Sequence, residues 1–304
     1  MRRVAQISDI HFGAIDPAAV EALRRDLLAE PYDLLIVSGD LTQRARASQF
    51  REAMAFLGSL PGPQLYVPGN HDVPMHNLFQ RFGSPLGKYK RHVTRDLRPI
   101  FQDDELLVVG LNTARPFSLT WGGFWKDGRI NADQLLDVHL AATNVPDGVF
   151  KIVVTHHPFL PPPGERKHGV VEMEAVREGK IDKRVVHGSA RALRTMEAAG
   201  IELLLAGHLH MNYSGDVRSH HEQVQRSILS VQAGTACSHR RRGEPNAYNR
   251  FVVETAAFDA IDFDRLTVQV RTLTGPDFTN GDRRVFEKRP EGWTPVGTQP
   301  AQSG

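Results

Sequence analysis

Five polar stretches of this 304-residue chain carry side chains that bind metals, and each directly follows an apolar run. Asp9 and His11 follow VAQIS at 4–8. Asp40 follows LLIVS at 34–38. Asn70, His71 and Asp72 follow QLYV at 64–67. His156 and His157 follow KIVVT at 151–155, and His208 and His210 follow LLLA at 203–206. One Asp or His at a strand end is ordinarily a cap or turn residue. The pairs Asp9/His11 and His208/His210 say more, because residues two apart in extended chain share a face. Packing alone gives no reason for two imidazoles on one face. Asp9, His11, Asp40, Asn70, His156, His208 and His210 make two carboxylates, an amide and four imidazoles. That set suits first-row ions such as manganese, iron or zinc, not calcium or magnesium alone. Seven ligands exceed the needs of one ion with an open position and suit two ions that share a ligand. Asp40 is the natural bridge, since a carboxylate can offer an oxygen to each ion.

The elements that must position these residues follow from the pattern between them. Residues 17–29 have helical apolar spacing at Val20, Leu23, Leu27 and Leu28, and residues 47–60 repeat it with Phe50, Met54 and Leu57. The run at 34–38 is apolar throughout, as in a strand buried on both faces. Strand, helix, strand, helix, strand implies a parallel sheet with right-handed crossovers. In such sheets ligands bind beyond the carboxyl ends of the strands. Gly69 is expected to let the chain turn tightly before Asn70. Further strands are expected at 106–111, ending in Asn112-Thr113, and at 151–155 and 203–206. Helices are expected at 131–142, capped by Asn131, and at 189–199. Residues 115–129, with Trp121 and Trp125, and the insertion at 161–188 are expected as coverings of the site. Strands at 228–232, 251–255 and 266–273 lack intervening helices, which predicts a second, largely antiparallel sheet. From Gly275 the composition shifts to proline, glycine and charge. This divides the chain into a domain at 1–274 and an extension at 275–304, with roughly the last 15 residues disordered.

Composition excludes several classes. The chain is 40% hydrophobic and 24% charged, as ordinary globular proteins are. A net charge of +2 gives no general attraction to nucleic acid or membranes. Cys237 is the single cysteine, so an intrachain disulfide is excluded. Asp9 and His11 interrupt the first apolar run too early for a signal peptide, and no segment suits a membrane span. A cytoplasmic protein is expected.

Asp-x-His, Gly-Asp, Gly-Asn-His-Asp, a His after an apolar strand, and Gly-His-x-His occur here in one order. In this the chain resembles the calcineurin-like metallophosphoesterase superfamily over residues 4–235, most closely its bacterial cyclic-nucleotide and glycerophosphodiester phosphodiesterases. The resemblance implies an α/β fold, a two-sheet β-sandwich flanked by helices, with a dinuclear centre at the C-terminal edge of the strands. It implies manganese or iron, with zinc as an alternative. Asp9, His11, Asp40 and His210 would hold one ion; Asp40, Asn70, His156 and His208 would hold the other. His156 matches the ligand position better than His157. His71 would be the catalytic histidine, its tautomer fixed by Asp72 or a backbone carbonyl. The implied reaction is metal-hydroxide attack on a small-molecule phosphodiester such as 3',5'-cyclic AMP or a glycerophosphodiester. Alternatives on the same site are a phosphomonoesterase, a nucleotide pyrophosphatase or a nuclease that uses Arg240-Arg241-Arg242 and residues 88–98. A non-catalytic interaction module should have lost ligands, and none is missing. Asn112-Thr113 departs from the Asp-Thr or Asp-Ser of many relatives. His71 argues against the lipid A precursor pyrophosphatases, which usually carry arginine there.

Overall fold

The computed structural model describes residues 1–75, 77–116, 128–162 and 185–299. Its first sheet starts from β1 (Arg2–Ile7), β2 (Leu34–Ser38) and β3 (Gln64–Val67), joined in parallel with Ile7 opposite Val37 and Ser38 opposite Val67. The crossovers are α1 (Pro17–Ala29) and α2 (Ala47–Gly58). Asp16 caps α1 by accepting from the Ala18 and Ala19 amides, with Pro17 at its first turn where no amide is needed. β2 is buried on both faces, as its composition requires. Leu35 and Val37 pack with Leu23, Leu27, Phe50 and Leu57 of the helices, while Leu34 and Ile36 face the second sheet. Each such side chain contributes about 1.5–3 kcal/mol on full burial.

After the short helices α3 (Leu78–Gly83) and α4 (Gly87–His92), the chain builds the second sheet from β4 (Ile100–Gln102), β5 (Leu106–Gly110), β6 (Phe150–Val154), β7 (Leu203–Ala206), β8 (Tyr213–Asp216) and β9 (Leu229–Gln232). Its order is β4-β5-β6-β7-β9-β8, with β5, β6, β7 and β9 parallel. α5 (Ala132–Thr143) and α6 (Ser189–Ala198) cover its outer face through Leu135, Val138, Leu193 and Met196. Asn131 caps α5 by accepting from the Gln134 amide, as its position implied. Val4, Val67, Phe150, Ile152, Leu205 and Phe251 lie in the core between the sheets.

The late strands correct the expected topology. β10 (Ala247–Glu254) and β11 (Arg265–Thr274) are antiparallel, but they extend the first sheet from β1. β9, grouped with them in sequence, joins the second sheet in parallel with β7. Absence of helices between strands signals antiparallel pairing without saying which sheet receives it. The expected disorder near the end is also corrected for part of its range. β12 (Asp277–Arg289) and β13 (Gly292–Gln299) continue the first sheet, and Phe278, Phe286 and Trp293 are buried. Phe286 and Trp293 reach the core between the sheets, an anchorage that average polarity conceals. Among the described residues no helix is long and apolar enough to cross a membrane. Trp121, Trp125 and most of the 161–188 insertion lie outside the described residues.

Candidate metal centre

The C-terminal ends of β1, β2, β3, β6 and β7 meet at one edge of the sandwich, and there the backbone is strained. Asp9, His11, Asp40, His208 and His210 have φ of +52, +44, +52, +75 and +56°, and the only other described non-glycine residue with positive φ is Ala45. The left-handed region costs an L-residue of order 1–2 kcal/mol. Strain gathered on five candidate ligands marks the strand ends as the place where the fold spends stability on geometry. Backbone bonds hold the bends: the Asp9 amide donates to the Gly39 carbonyl at 3.1 Å and the His11 amide to that of Asp40 at 3.0 Å. Gly69 has φ −103°, which any residue adopts, so its expected role in a tight turn is corrected. It is required for close approach instead, since a Cβ there would lie 2.1 Å from Asp40 Oδ1 and 2.3 Å from the Asp40 amide nitrogen.

The candidate ligands converge from both sheets and are buried, apart from the half-buried His208. Asp40 Oδ2 lies 3.6 Å from His11 Nε2 and 3.4 Å from His156 Nε2, between the two groups. Asp40 Oδ1 turns away and accepts from the His71 amide at 2.8 Å. Asp9 Oδ2 accepts from Ser8 Oγ at 2.6 Å and from the His208 amide at 2.9 Å. Its Oδ1 is buried without a well-formed hydrogen bond, 3.1 Å from His210 Nε2. His156 Nδ1 donates to the Ser38 carbonyl at 2.9 Å, and His210 Nδ1 to the Arg240 carbonyl at 2.5 Å. A carbonyl only accepts, so Nδ1 carries a proton in both rings, and either ring, when neutral, turns a lone pair inward from Nε2. His156 Nε2 then faces Asn70 Oδ1 at 3.2 Å, and His210 Nε2 faces His11 Nε2 at 3.1 Å. With His156 neutral, its Nε2 and Asn70 Oδ1 are two acceptors, which repel unless a proton or a cation lies between them. The His208 ring lies 5.1 Å from that of His156.

The electrostatics carry the same demand for positive charge. Burial opposes ionisation of Asp9, but His210, His11 and His156 around it hold its carboxyl well below the ordinary range. Burial likewise opposes ionisation of Asp40, and His156 and His71 pull it down. His156 is raised to about 9: burial works against its charged form and Asp40 outweighs burial. His210 is raised against burial by Asp9. His208 falls to about 3 through burial and repulsion from His156. Two carboxylates thus stay ionised in a dry pocket and hold protons on neighbouring imidazoles. Metal cations would satisfy the same charges, and the donor set of oxygens and Nε2 lone pairs fits first-row ions.

Residues around this cluster correct and extend the sequence reading. His71 Nδ1 donates to the Gln43 carbonyl at 2.9 Å, which leaves Nε2 to accept from Arg240 Nη1 at 2.7 Å. Asp72 makes no hydrogen bond to the His71 ring; it accepts from the Leu41, Thr42 and Gly69 amides and from Thr42 Oγ1. It ties the β2 and β3 ends together. Burial and the charge of Asp40 push its carboxyl up, and the amide donors pull the other way. His157 is buried with its ring 4.5 Å from that of His208, and ring nitrogens of His156, His157 and His208 lie within 4.8 Å of one another. Its Nδ1 meets Thr113 Oγ1 at 2.8 Å. Asn112 Oδ1 accepts from the Ala114 amide, so the unusual amide in this block shapes its own turn. Arg240, first met as part of a basic run, stands at the site, eight residues beyond the end of β9. His239 is exposed, and His221 is buried against the Phe159 carbonyl.

Fold and site together define a metal-dependent phosphoesterase. The chain belongs to the calcineurin-like phosphoesterase family, whose model matches residues 2–212. A probable cyclic nucleotide phosphodiesterase of Synechococcus sp. is 25% identical over 226 residues, 69% of this chain and 74% of that protein. The glycerophosphodiester phosphodiesterase GpdQ of Enterobacter lignolyticus is 38% identical over 80 residues, which cover 23% of this chain and only 29% of that protein. Among solved structures, a purple acid phosphatase from yellow lupin (Lupinus luteus) seeds is similar in fold, with TM-score 0.61 and 13% identity over 92% of this chain and 52% of that one. A dimetal phosphatase of Danio rerio gives TM-score 0.59 and 11% identity over 92% of this chain and 98% of that one. At such identities the likeness speaks for the fold alone.

Proposed function

We propose that this phosphoesterase hydrolyses a small-molecule phosphodiester at a centre of two metal ions. Asp9, His11, Asp40 and His210 would hold one ion and Asp40, Asn70, His156 and His208 the other, with manganese or iron the expected metals. The observation that carries this reading is the position of Asp40 Oδ2, 3.6 Å from His11 Nε2 and 3.4 Å from His156 Nε2. Bound there, such ions would polarise the phosphoryl oxygens and make water acidic enough to serve as nucleophile at neutral pH.

The remaining steps belong to the chain's own side chains. Arg240 places a guanidinium beside the cluster, suited to a non-bridging phosphate oxygen. His71, as imidazolium, gives its Nε2 proton to the departing oxygen. Arg240 must first leave Nε2, because a guanidinium does not give up its proton and cannot sit against a protonated nitrogen. Asp72 keeps the loop that carries Asn70 and His71 against the Asp40 loop. The diester reading takes its support from the two phosphodiesterase-named relatives and from the intact Gly-Asn-His-Asp segment. The test is a manganese-supplemented screen of bis(p-nitrophenyl) phosphate, p-nitrophenyl phosphate, cyclic AMP and glycerophosphodiesters. Preference for diesters is expected. Turnover of p-nitrophenyl phosphate alone would make the protein a monoesterase.

A further inference from the structure

Branched and aromatic side chains fill most of the space between the two sheets, but between β8–β9 and β10–β12 a cleft of about 250 Å³ is left open. Its apolar wall is made of small residues, Val231, Ala247, Val268 and Val270. Arg284 of β12 crosses from the first sheet, and its Nη1 donates to Ser214 Oγ of β8 in the second at 2.9 Å. Glu244, before β10, lines the cleft too, and its Oε2 accepts from the Asn212 amide at 3.0 Å. These bonds brace the sheet edge and the loop, yet they neutralise neither charge. No ion pair among the described residues includes Arg284 or Glu244, whereas Arg265, Arg271 and Arg289 of β11 and β12 each have one. The anchors Asn212 and Ser214 are two residues apart, which is about 7 Å of extended chain. That is too far for the two charges to pair and close enough for one small molecule to meet both. Between them lies Asn249, since it sits opposite Val270 and Arg284 opposite Val268. Asn249 is fully buried; its Nδ2 donates to Gln6 Oε1 and to the Gln232 carbonyl, both at 3.1 Å, and its Oδ1 has no partner. A buried oxygen left unmet is costly, and an N–H of an occupant would meet it.

We infer that this cleft is a binding site for a free α-amino acid with an apolar side chain. Its carboxylate meets the Arg284 guanidinium, and its ammonium meets Glu244 and the free Asn249 Oδ1. Its side chain lies on Val231, Val268 and Val270. In an α-amino acid the two charged groups are about 3 Å apart, both attached to Cα. A charge-assisted hydrogen bond of about 2.8 Å at each end lets such a zwitterion span the distance between the two protein charges. The volume falls below that of sites for drug-sized ligands, which agrees with an occupant of this size. The site takes no part in the phosphoesterase reaction and stands whether or not the diester reading does.

The test is calorimetric titration of the manganese-loaded protein with three probes: L-leucine, N-acetyl-L-leucine, which lacks the ammonium, and L-leucinamide, which lacks the carboxylate. L-leucine should bind at one saturable site, with each blocked form about 10-fold weaker or more, as the loss of one charged contact implies. Glu244→Gln should weaken L-leucine about 10-fold and bring it level with the acetylated form; Arg284→Met should bring it level with the amide. Glu244 lies on a loop, so its variant carries the test if Arg284→Met fails to fold. No saturable binding of L-leucine to the native chain, or equal affinity for all three probes, overturns the inference. Leucine also chelates manganese, so binding that is lost in Asp40→Ala and kept in Glu244→Gln would place it on the metal and overturn the inference as well.

Discussion

The two sheets bring different chemistry to the edge where they meet. The β1–β3 edge supplies Asp9, Asp40 and Asn70, hence all the carboxylate, and His11. The β6–β7 edge supplies imidazoles alone. Their supports are opposite in kind as well. The carboxylates are fixed by donors: the His71 amide on Asp40, and Ser8 Oγ with the His208 amide on Asp9. The imidazoles are fixed by acceptors, the carbonyls of Ser38 and Arg240. Several of these supports cross between the halves, since Ser38 belongs to β2 and His208 follows β7. Neither edge therefore forms its half of the site alone. A carboxylate edge without imidazoles is unneutralised charge in a dry pocket; an imidazole edge without carboxylates has nothing to fix its ligands against a cation. Closing the sandwich creates the centre.

The largest expected effect comes from the one side chain that stands between both edges. Asp40→Ala removes the oxygen that faces His11 and His156 together. It should cost more metal than any other single ligand change and roughly 10⁴-fold in activity, several kcal/mol of transition-state stabilisation. Elemental analysis decides the assignment. Two ions per chain retained in Asp40→Ala, with one lost in His210→Ala, would show that Asp40 is no bridge.

His71 belongs to the first sheet's edge but completes no ligand set. His71→Ala should keep both ions. If His71 is the general acid, the loss should be roughly 10²–10⁴-fold on an alkyl ester and much smaller on a p-nitrophenyl ester of the same phosphate, whose leaving group departs without a proton. Equal losses on both esters would assign His71 and Arg240 to holding phosphate instead.

The same contrast explains what could be read from sequence. The first half of the first sheet is local: β1, α1, β2, α2 and β3 follow one another with short loops, and apolar period and strand-end residues place them directly. The candidate residues could be gathered for that reason, each lying just past an apolar run. The partners of β1 on its other side were not legible, because β10 pairs with it across more than 200 residues and antiparallel strands carry no label for their sheet. Arg240 was hidden for a related cause. A basic run has the composition of a solvated face, and only tertiary contact sets Arg240 against His71 while Arg241 and Arg242 stay exposed. The role of Gly69 was misassigned because sequence shows that a glycine is needed without showing whether φ or a neighbour's proximity requires it.

A smaller effect should follow from loosening the brace within the first sheet's edge. Asp72→Asn keeps the shape but turns an NH₂ toward one of four donors now shared by the carboxylate. One buried donor left unmet costs about 1–3 kcal/mol. Metal affinity should drop about 10–100-fold as the Gly69–Asp72 turn shifts, as is typical for groups that orient ligands. Unchanged metal affinity in Asp72→Asn, measured by chelator competition, would mean that the loops hold their positions without this brace.

The smallest effect should come from the matching position on the second sheet. Thr113 follows β5 and its Oγ1 lies 2.8 Å from His157 Nδ1, while His156, one residue earlier, is the imidazole that faces Asp40 and Asn70. Thr113→Val keeps the volume and deletes the hydroxyl. If His156 is the ligand and His157 only packs beside His208, the variant loses one buried hydrogen bond, about 1 kcal/mol. The melting temperature should fall by about 2 °C, with metal affinity held within about threefold. If His157 is the ligand, the same change frees its ring to turn, and affinity should fall about 10–100-fold, like that of other ligands deprived of an orienting partner. Metal affinity and melting temperature measured on the same protein separate the two cases. A large loss of affinity with little change in melting would move the second sheet's contribution from His156 to His157, and with it the point at which the imidazole edge meets Asp40.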